Sequence, residues 1–130
     1  MSPEIIFTSN APAPIGPYSQ AIRYENTVYV SGQIPIEPQS GEMVEGDIQM
    51  ETRRVMDNVC AVLHAAQSDP SRILKTSIFL TDMNDFAAVN EVYATYFSHY
   101  APARETIQVV RLPKNARVEI SVIACCTPSA

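Results

Sequence analysis

The chain has 130 residues, 46% of them hydrophobic and 18% charged, with a net charge of −5 and a pI near 4.9. That is a single domain over residues 1–130 with a real core, in a globular rather than disordered balance. The acidic surplus argues against a general nucleic-acid binder, which needs basic surface to neutralise phosphates, although a local basic patch stays open; no apolar run is long enough to span a membrane.

Glu4 to Phe7 is predicted as a short edge strand. The N-terminal stretch has no basic region followed by an apolar core, so no secretory signal is expected. Asn10 to Pro17 contains Pro12, Pro14, Gly16 and Pro17 and is predicted to be an ordered loop or turn. Ser19–Tyr24 and Thr27–Ser31 read as two strands around a tight Glu25-Asn26 turn. Asn26 suits the positive φ of two-residue hairpin turns. Gly32 closes the second strand, where the missing Cβ lets a ligand or another chain approach.

Pro35 to Gly46 is a polar connection, and Asp47 is a good N-cap for a helix running to about Gln67. Ile48, Val55, Met56, Val59, Val62, Leu63 and Ala66 recur at three- and four-residue intervals along it. Ser68-Asp69-Pro70-Ser71 breaks the chain. Leu74 to Leu80 alternates, with Leu74, Thr76, Ile78 and Leu80 on one face and Lys75, Ser77 and Phe79 on the other.

Asp82 is placed to cap a second helix, with Asp85 as the acid of a capping box. Phe86, Val89, Asn90, Tyr93 and Phe97 form its stripe. Asn90 is the polar exception, for which a backbone hydrogen bond is the commoner fate and bracing a site the sharper reading. After the Ala101-Pro102 turn, Thr106–Leu112 reads as a fifth strand and Arg117–Ala124 as a sixth. In the sixth, Val118, Ile120, Val122 and Ala124 share one face, and Glu119, Ser121 and Ile123 the other.

This order predicts an α+β sandwich, a mixed sheet of roughly six strands with two helices on one side. The other face, assigned Ser77 and Phe79 with Thr106, Val110 or their neighbours, is too mixed for plain core or plain solvent. It is expected to meet other subunits, and a cleft there is a natural ligand site. The last two segments, close in sequence, are expected near each other in the sheet. They would set Arg104, a planar fork of donors suited to a carboxylate, and Glu119, able to activate water, at the edges of one cleft. From residue type and spacing alone, pairing of Arg104 with Glu105, and of Glu119 with Arg111 or Lys114, is the commoner outcome.

Cys60, Cys125 and Cys126 form neither a disulfide framework nor a spaced zinc motif, which fits a reducing, cytoplasmic setting. His64 and His99 lack metal-ligand company, so no metal is expected. No nucleophile elbow, phosphate loop or dinucleotide fingerprint is present.

Several stretches together carry a family resemblance: Gly16-Pro17-Tyr18-Ser19-Gln20-Ala21, Val30-Ser31-Gly32-Gln33-Ile34-Pro35, Gly41 to Asp47, Asp85-Phe86-Ala87-Ala88-Val89-Asn90, and Ala101 to Ile120. In this order and spacing the chain resembles the RidA (YjgF) family of reactive-intermediate deaminases over nearly its whole length. The resemblance implies a chorismate-mutase-like fold and a homotrimer with a central barrel and clefts between subunits. It implies hydrolysis of 2-imino acids or enamines (2-iminopropanoate, 2-iminobutanoate, 2-aminoacrylate) to 2-keto acids and ammonia, without cofactor or metal. By the same resemblance Arg104 grips the substrate carboxylate and Glu119 orients or activates the water. Backbone near Gly32 and Thr106 lines the pocket, and Tyr18, Ser31 and Asn90 lie at or near it.

The chain departs from the family pattern at Thr106, where cysteine is common, and at Glu105, an acid that would repel an anionic substrate unless it points away. Gln67 replaces a helix-ending glycine, and Ser121 a more usual acid. Relatives described as ribonucleases, translation inhibitors or regulatory binders keep those alternatives open.

Overall fold

The structure is a computed structural model that describes residues 2–127. Its strands are β1 (Glu4–Ile6), β2 (Ala21–Tyr24), β3 (Thr27–Gln33), β4 (Ile73–Leu80), β5 (Ala103–Gln108) and β6 (Val118–Cys125), with helices α1 (Ile48–Ala65) and α2 (Phe86–Ala94). They form one six-stranded sheet in the order β1-β2-β3-β6-β4-β5. Only β4 and β5 run parallel, joined by the crossover that contains α2. The α+β reading and the two-helix count hold.

The period of two along β6 organises the core. Val118, Ile120, Val122 and Ala124 are buried and alternate with half-buried Glu119, Ser121, Ile123 and Cys125. The buried set packs with Val55, Met56, Val59, Val62 and Leu63 of α1 and Val89 and Tyr93 of α2. Each large aliphatic side chain gains about 1.5–3 kcal/mol by leaving water. A one-residue slip of β6 would forfeit several such terms at once, so its register is strongly held.

Three polar anchors shape the connections. Gln20, fully buried, accepts from Thr8 N at 2.7 Å and donates to the carbonyls of Thr8 and Pro12 at 3.0 and 2.9 Å, holding down the proline-rich loop. Asn58 of α1 donates to Ile34 O and Ile36 O at 3.3 and 2.9 Å and accepts from Arg54. Arg117 donates to the buried Glu51 carboxylate and to Gly46 O, fastening the start of β6 to the start of α1.

The helix ends follow capping chemistry. Asp47 caps α1 by accepting from Met50 N at 2.8 Å. The far end closes with Ser68 N on Leu63 O and Gln67 N on His64 O, the paired bonds of a Schellman motif. Gln67 holds the left-handed position at φ 61°, which explains why glycine is the usual residue there.

Several expectations are corrected. The fifth strand is Ala103–Gln108, not Thr106–Leu112. Parallel pairing with β4 begins at Ala103, and the apolar residues that suggested a later strand lie beyond it, Val110 fully exposed. Thr106 pairs with buried Ile78 and faces the helices, so it is not on the open face. A register shift between Ile73 and Lys75 puts Ile73 in the core and Leu74 outside. The left-handed residue of the β2–β3 turn is Glu25 (φ 54°), not Asn26. Asp82 caps a short 3-10 turn before α2, and Asp85 makes no capping bond. Cys126, just beyond β6, is in the core.

Two substitutions test this account. Gln67→Gly relieves the left-handed strain and is expected to raise stability by about 0.5–1 kcal/mol, read from the urea midpoint. Asn58→Ala removes the side-chain donor of the Ile34 and Ile36 carbonyls, of which Ile34 O keeps the Ile36 N–H and Arg54 keeps Glu37, and is expected to lower stability by about 1–3 kcal/mol in the same measurement.

Candidate functional site: two half-sites on opposite sheet faces

Arg104 lies inside β5, opposite Thr76 of β4. Thr76 is fully buried beneath α2, so Arg104 projects on the helix side of the sheet edge. Its Cζ stands 5.5 Å from the ring centroid of Phe86 and 5.1 Å from that of Tyr93. Phe86, Asn90 and Tyr93 share one face of α2, at spacings of four and three residues. No hydrogen bond or ion pair from the described residues reaches the half-buried guanidinium. An open cavity of about 470 Å³ adjoins it, lined among others by Asn90, Tyr93, Phe97, Tyr100 and Arg104. Asn90 makes no side-chain hydrogen bond to backbone, so the commoner fate named for it is not what occurs.

Glu105 does not pair with Arg104. The strand alternation turns it to the opposite face, where Lys75 lies at 3.2 Å and Ser77 Oγ donates to it. The Ser77 hydrogen bond, followed by Lys75, holds its carboxyl below the usual range. Its charge therefore points away from Arg104. Thr106 follows on the Arg104 side, and its Oγ1 is buried without a partner.

The second half-site lies on the open face. Glu119 of β6 pairs in register with Phe79 of β4. Its half-buried carboxylate has no partner among the described residues; neither Arg111 nor Lys114 reaches it. Burial pushes its pKa above the ordinary carboxylate value. Gly32 sits against it: a Cβ there would be 2.7 Å from Glu119 Cδ. The glycine is needed for this close approach, in the irregular stretch where β3 shifts register against β6. Ser31 Oγ donates to Ser19 O at 2.6 Å. Tyr18 is 47% exposed, its hydroxyl accepting from Ile15 N at 3.2 Å, and it meets Gly32 around a small cavity floored by Gln20 and Ile34.

The seven sequence-predicted residues thus fall into two groups. Arg104, Asn90 and Thr106 gather at the β5–α2 edge; Glu119, Gly32, Ser31 and Tyr18 gather at the β3–β6 end of the open face. One chain does not bring the groups together. β5 and β6 share a sheet, but β4 lies between them, and Arg104 and Glu119 project from opposite faces. The expectation of one cleft within the chain is corrected on that point. Phe86 and Tyr93 were read only as packing; their sequence signal was two aromatics a helical face apart with an asparagine between. A cavity of about 490 Å³ along α1, beside Arg53, Arg54 and Asp57, includes none of the seven.

Comparison with known proteins bears on this arrangement. The family model described as Endoribonuclease L-PSP matches residues 8–126. A RutC family protein of Pyrococcus horikoshii is 53% identical over 121 residues, 93% of this chain and 96% of the relative. The 2-iminobutanoate/2-iminopropanoate deaminase of Mus musculus is 46% identical over 121 residues, 93% and 90% of the two chains. The crystal structure of the YjgF gene product from E. coli superposes with a TM-score of 0.90 at 42% identity, covering 94% of this chain and 98% of that one. With a match that runs from the proline-rich loop to the end of β6, the chain belongs to the RidA/YjgF family, the endoribonuclease L-PSP family of the matching model, and stands close to its 2-iminobutanoate/2-iminopropanoate deaminases.

Proposed function

We propose that the protein hydrolyses short 2-imino acids and their enamine tautomers to 2-keto acids and ammonia, in clefts completed by a second copy of the chain. The observation that carries the reading is the pair Arg104 and Glu119. Both are half-buried charges with no hydrogen-bond or ion-pair partner among the described residues, on opposite sheet faces. Holding a charge partly out of water without a counter-charge is unfavourable. A ligand that offers a carboxylate to one group and a reacting centre to the other answers both. The mouse relative's activity points to the same substrates. The family resemblance supports a homotrimer, and the open sheet face is where its barrel would form.

The chemistry asks little of the protein. C2 of an imine is already electrophilic. Arg104 takes the substrate carboxylate on its planar fork and sets C2 beside Glu119. Glu119, ionised, accepts a proton from a water as the oxygen bonds to C2 and the C=N electron pair moves to nitrogen; the nitrogen then takes that proton from Glu119, giving a carbinolamine. Glu119 next takes the hydroxyl proton as the C–O bond becomes the ketone and the C–N bond breaks, and it passes that proton to the nitrogen, which leaves as ammonia. Glu119 ends as it began. Burial raises its pKa, which makes the carboxylate a stronger proton acceptor. Gly32 keeps the backbone close beside the carboxylate without a side chain in the way.

A ribonuclease reading has the family description behind it. Against it stands the net charge of −5, a poor match for a polyanion. RNA cleavage that survived Arg104→Ala in clean preparations would favour it.

The central test generates 2-iminobutanoate in situ with a dehydratase and follows its loss. Wild type should accelerate it; no acceleration sinks the deaminase reading. Glu119→Gln should lower kcat by about 10²–10⁴, the usual worth of general acid–base catalysis. Arg104→Ala should raise KM at least as strongly as it lowers kcat. Mixed and refolded in equal amounts, these two inactive variants should regain activity in about a quarter of their sites, because each supplies the half the other lacks. No recovery would mean that Arg104 and Glu119 do not act across copies.

The pH profile supplies a second test. Glu119 must be ionised to take the proton, so activity falls as pH drops through its pKa. With burial raising that pKa in the ligand-free protein, the acidic limb of kcat/KM should lie above the ordinary glutamate value of about 4.3. A limb at or below that value would contradict the assignment.

A further inference from the structure

Among the described residues the guanidinium of Arg104 has no counter-ion, yet a flexible arginine has to be held still to orient a ligand. A carboxylate beside it would hold it, but would also neutralise the charge and occupy the fork. The described residues supply aromatic faces instead, Phe86 at 5.5 Å and Tyr93 at 5.1 Å. A guanidinium is planar, with its N–H donors in the plane and none on its faces. Rings that stack on the faces can fix the plane and leave every in-plane donor unspent.

The Tyr93 ring is itself fixed. Tyr93 is 5% exposed, and its hydroxyl makes a buried 2.8 Å hydrogen bond with Thr76 Oγ1. Thr76 is the register partner of Arg104 on the adjacent strand. The ring is thus tied to the same rung of the sheet that carries the arginine. It also packs against Phe97, with centroids 4.8 Å apart.

We propose that Tyr93 and Phe86 are positioning residues, a clamp that holds the Arg104 guanidinium by its faces and presents its in-plane donors to a ligand carboxylate. The proposal rests on the reading of Arg104 as the carboxylate anchor. The threonine tie makes Tyr93 the fixed jaw. Phe86, 39% exposed at the first residue of α2, is the outer one.

The outer jaw gives a clean test, because its substitution disturbs little of the core. Phe86→Leu keeps apolar contact but loses the ring. It is expected to weaken binding of 2-oxobutanoate, a stable keto-acid probe, roughly five- to tenfold, with the kinetic loss falling on KM more than on kcat. Phe86→Trp, with a stronger ring face, is expected to restore or exceed wild-type binding. If leucine serves as well as phenylalanine, or tryptophan no better than leucine, the clamp is refuted.

Failure of wild type to bind 2-oxobutanoate at all would overturn the anchor reading instead. The clamp is then judged from the Arg104 side-chain proton shifts of the ligand-free protein. Ring currents should move these upfield of free arginine in wild type, and Phe86→Leu should relax them. Wild-type shifts equal to those of free arginine would overturn the clamp.

Discussion

The alternation of β6 at the centre of the sheet is the constraint on which the rest depends. Its inward residues, Val118, Ile120, Val122 and Ala124, complete the core under both helices. Because strand side chains point alternately to the two faces, that burial obliges Glu119, Ser121 and Ile123 to face the other way. The carboxylate is therefore carried on the uncovered face by the same packing that stabilises the fold. Rotating Glu119 inward would place an ionised group among aliphatic side chains, at a penalty larger than most single core contacts return. The same logic applied to β4 and β5 sends Arg104 to the helix side and Glu105 to the open side.

Electrostatically the two half-sites are complementary and unspent. Glu105, the acid next to the proposed anion anchor, pairs on the far face with Lys75 and accepts from Ser77. Arg104 lies against rings, and no acid among the described residues pairs with it. Glu119 is held in a partly dry setting that favours its protonated form. Each half is incomplete alone, and no rotamer change within one chain moves a side chain through the sheet. In the proposed reading a second copy joins them.

The backbone around the carboxylate is prepared in advance. Buried Gln20 pins the proline-rich loop that carries Tyr18, and Asn58 pins the chain just after Gly32. Arg117 and Glu51 fasten β6 two residues before Glu119. Such anchoring places the loop main chain within hydrogen-bond tolerance of a fixed position, as a site must be to favour a transition state over a ground state.

The amphipathic period of α1, the alternation of β6 and the Asp47 cap were legible in the residues themselves, since they express local geometry and burial along a single element. So was the count that leaves one sheet face without helices, because two helices cannot cover both. The start of β5, the outward turn of Leu74 and the Glu25 turn were not legible: pairing with β4, a register shift and the twist of a hairpin decide them, and these are relations between strands. The odd Asn90 in an aromatic stripe was visible as a pattern, but its meaning came only when α2 laid Phe86 and Tyr93 over Arg104. That Arg104 and Glu119 project from opposite faces was decided by the tertiary structure alone. Their facing depends on which strands become neighbours, with β4 inserted between two segments that are adjacent in sequence, and no local property of either segment encodes that insertion.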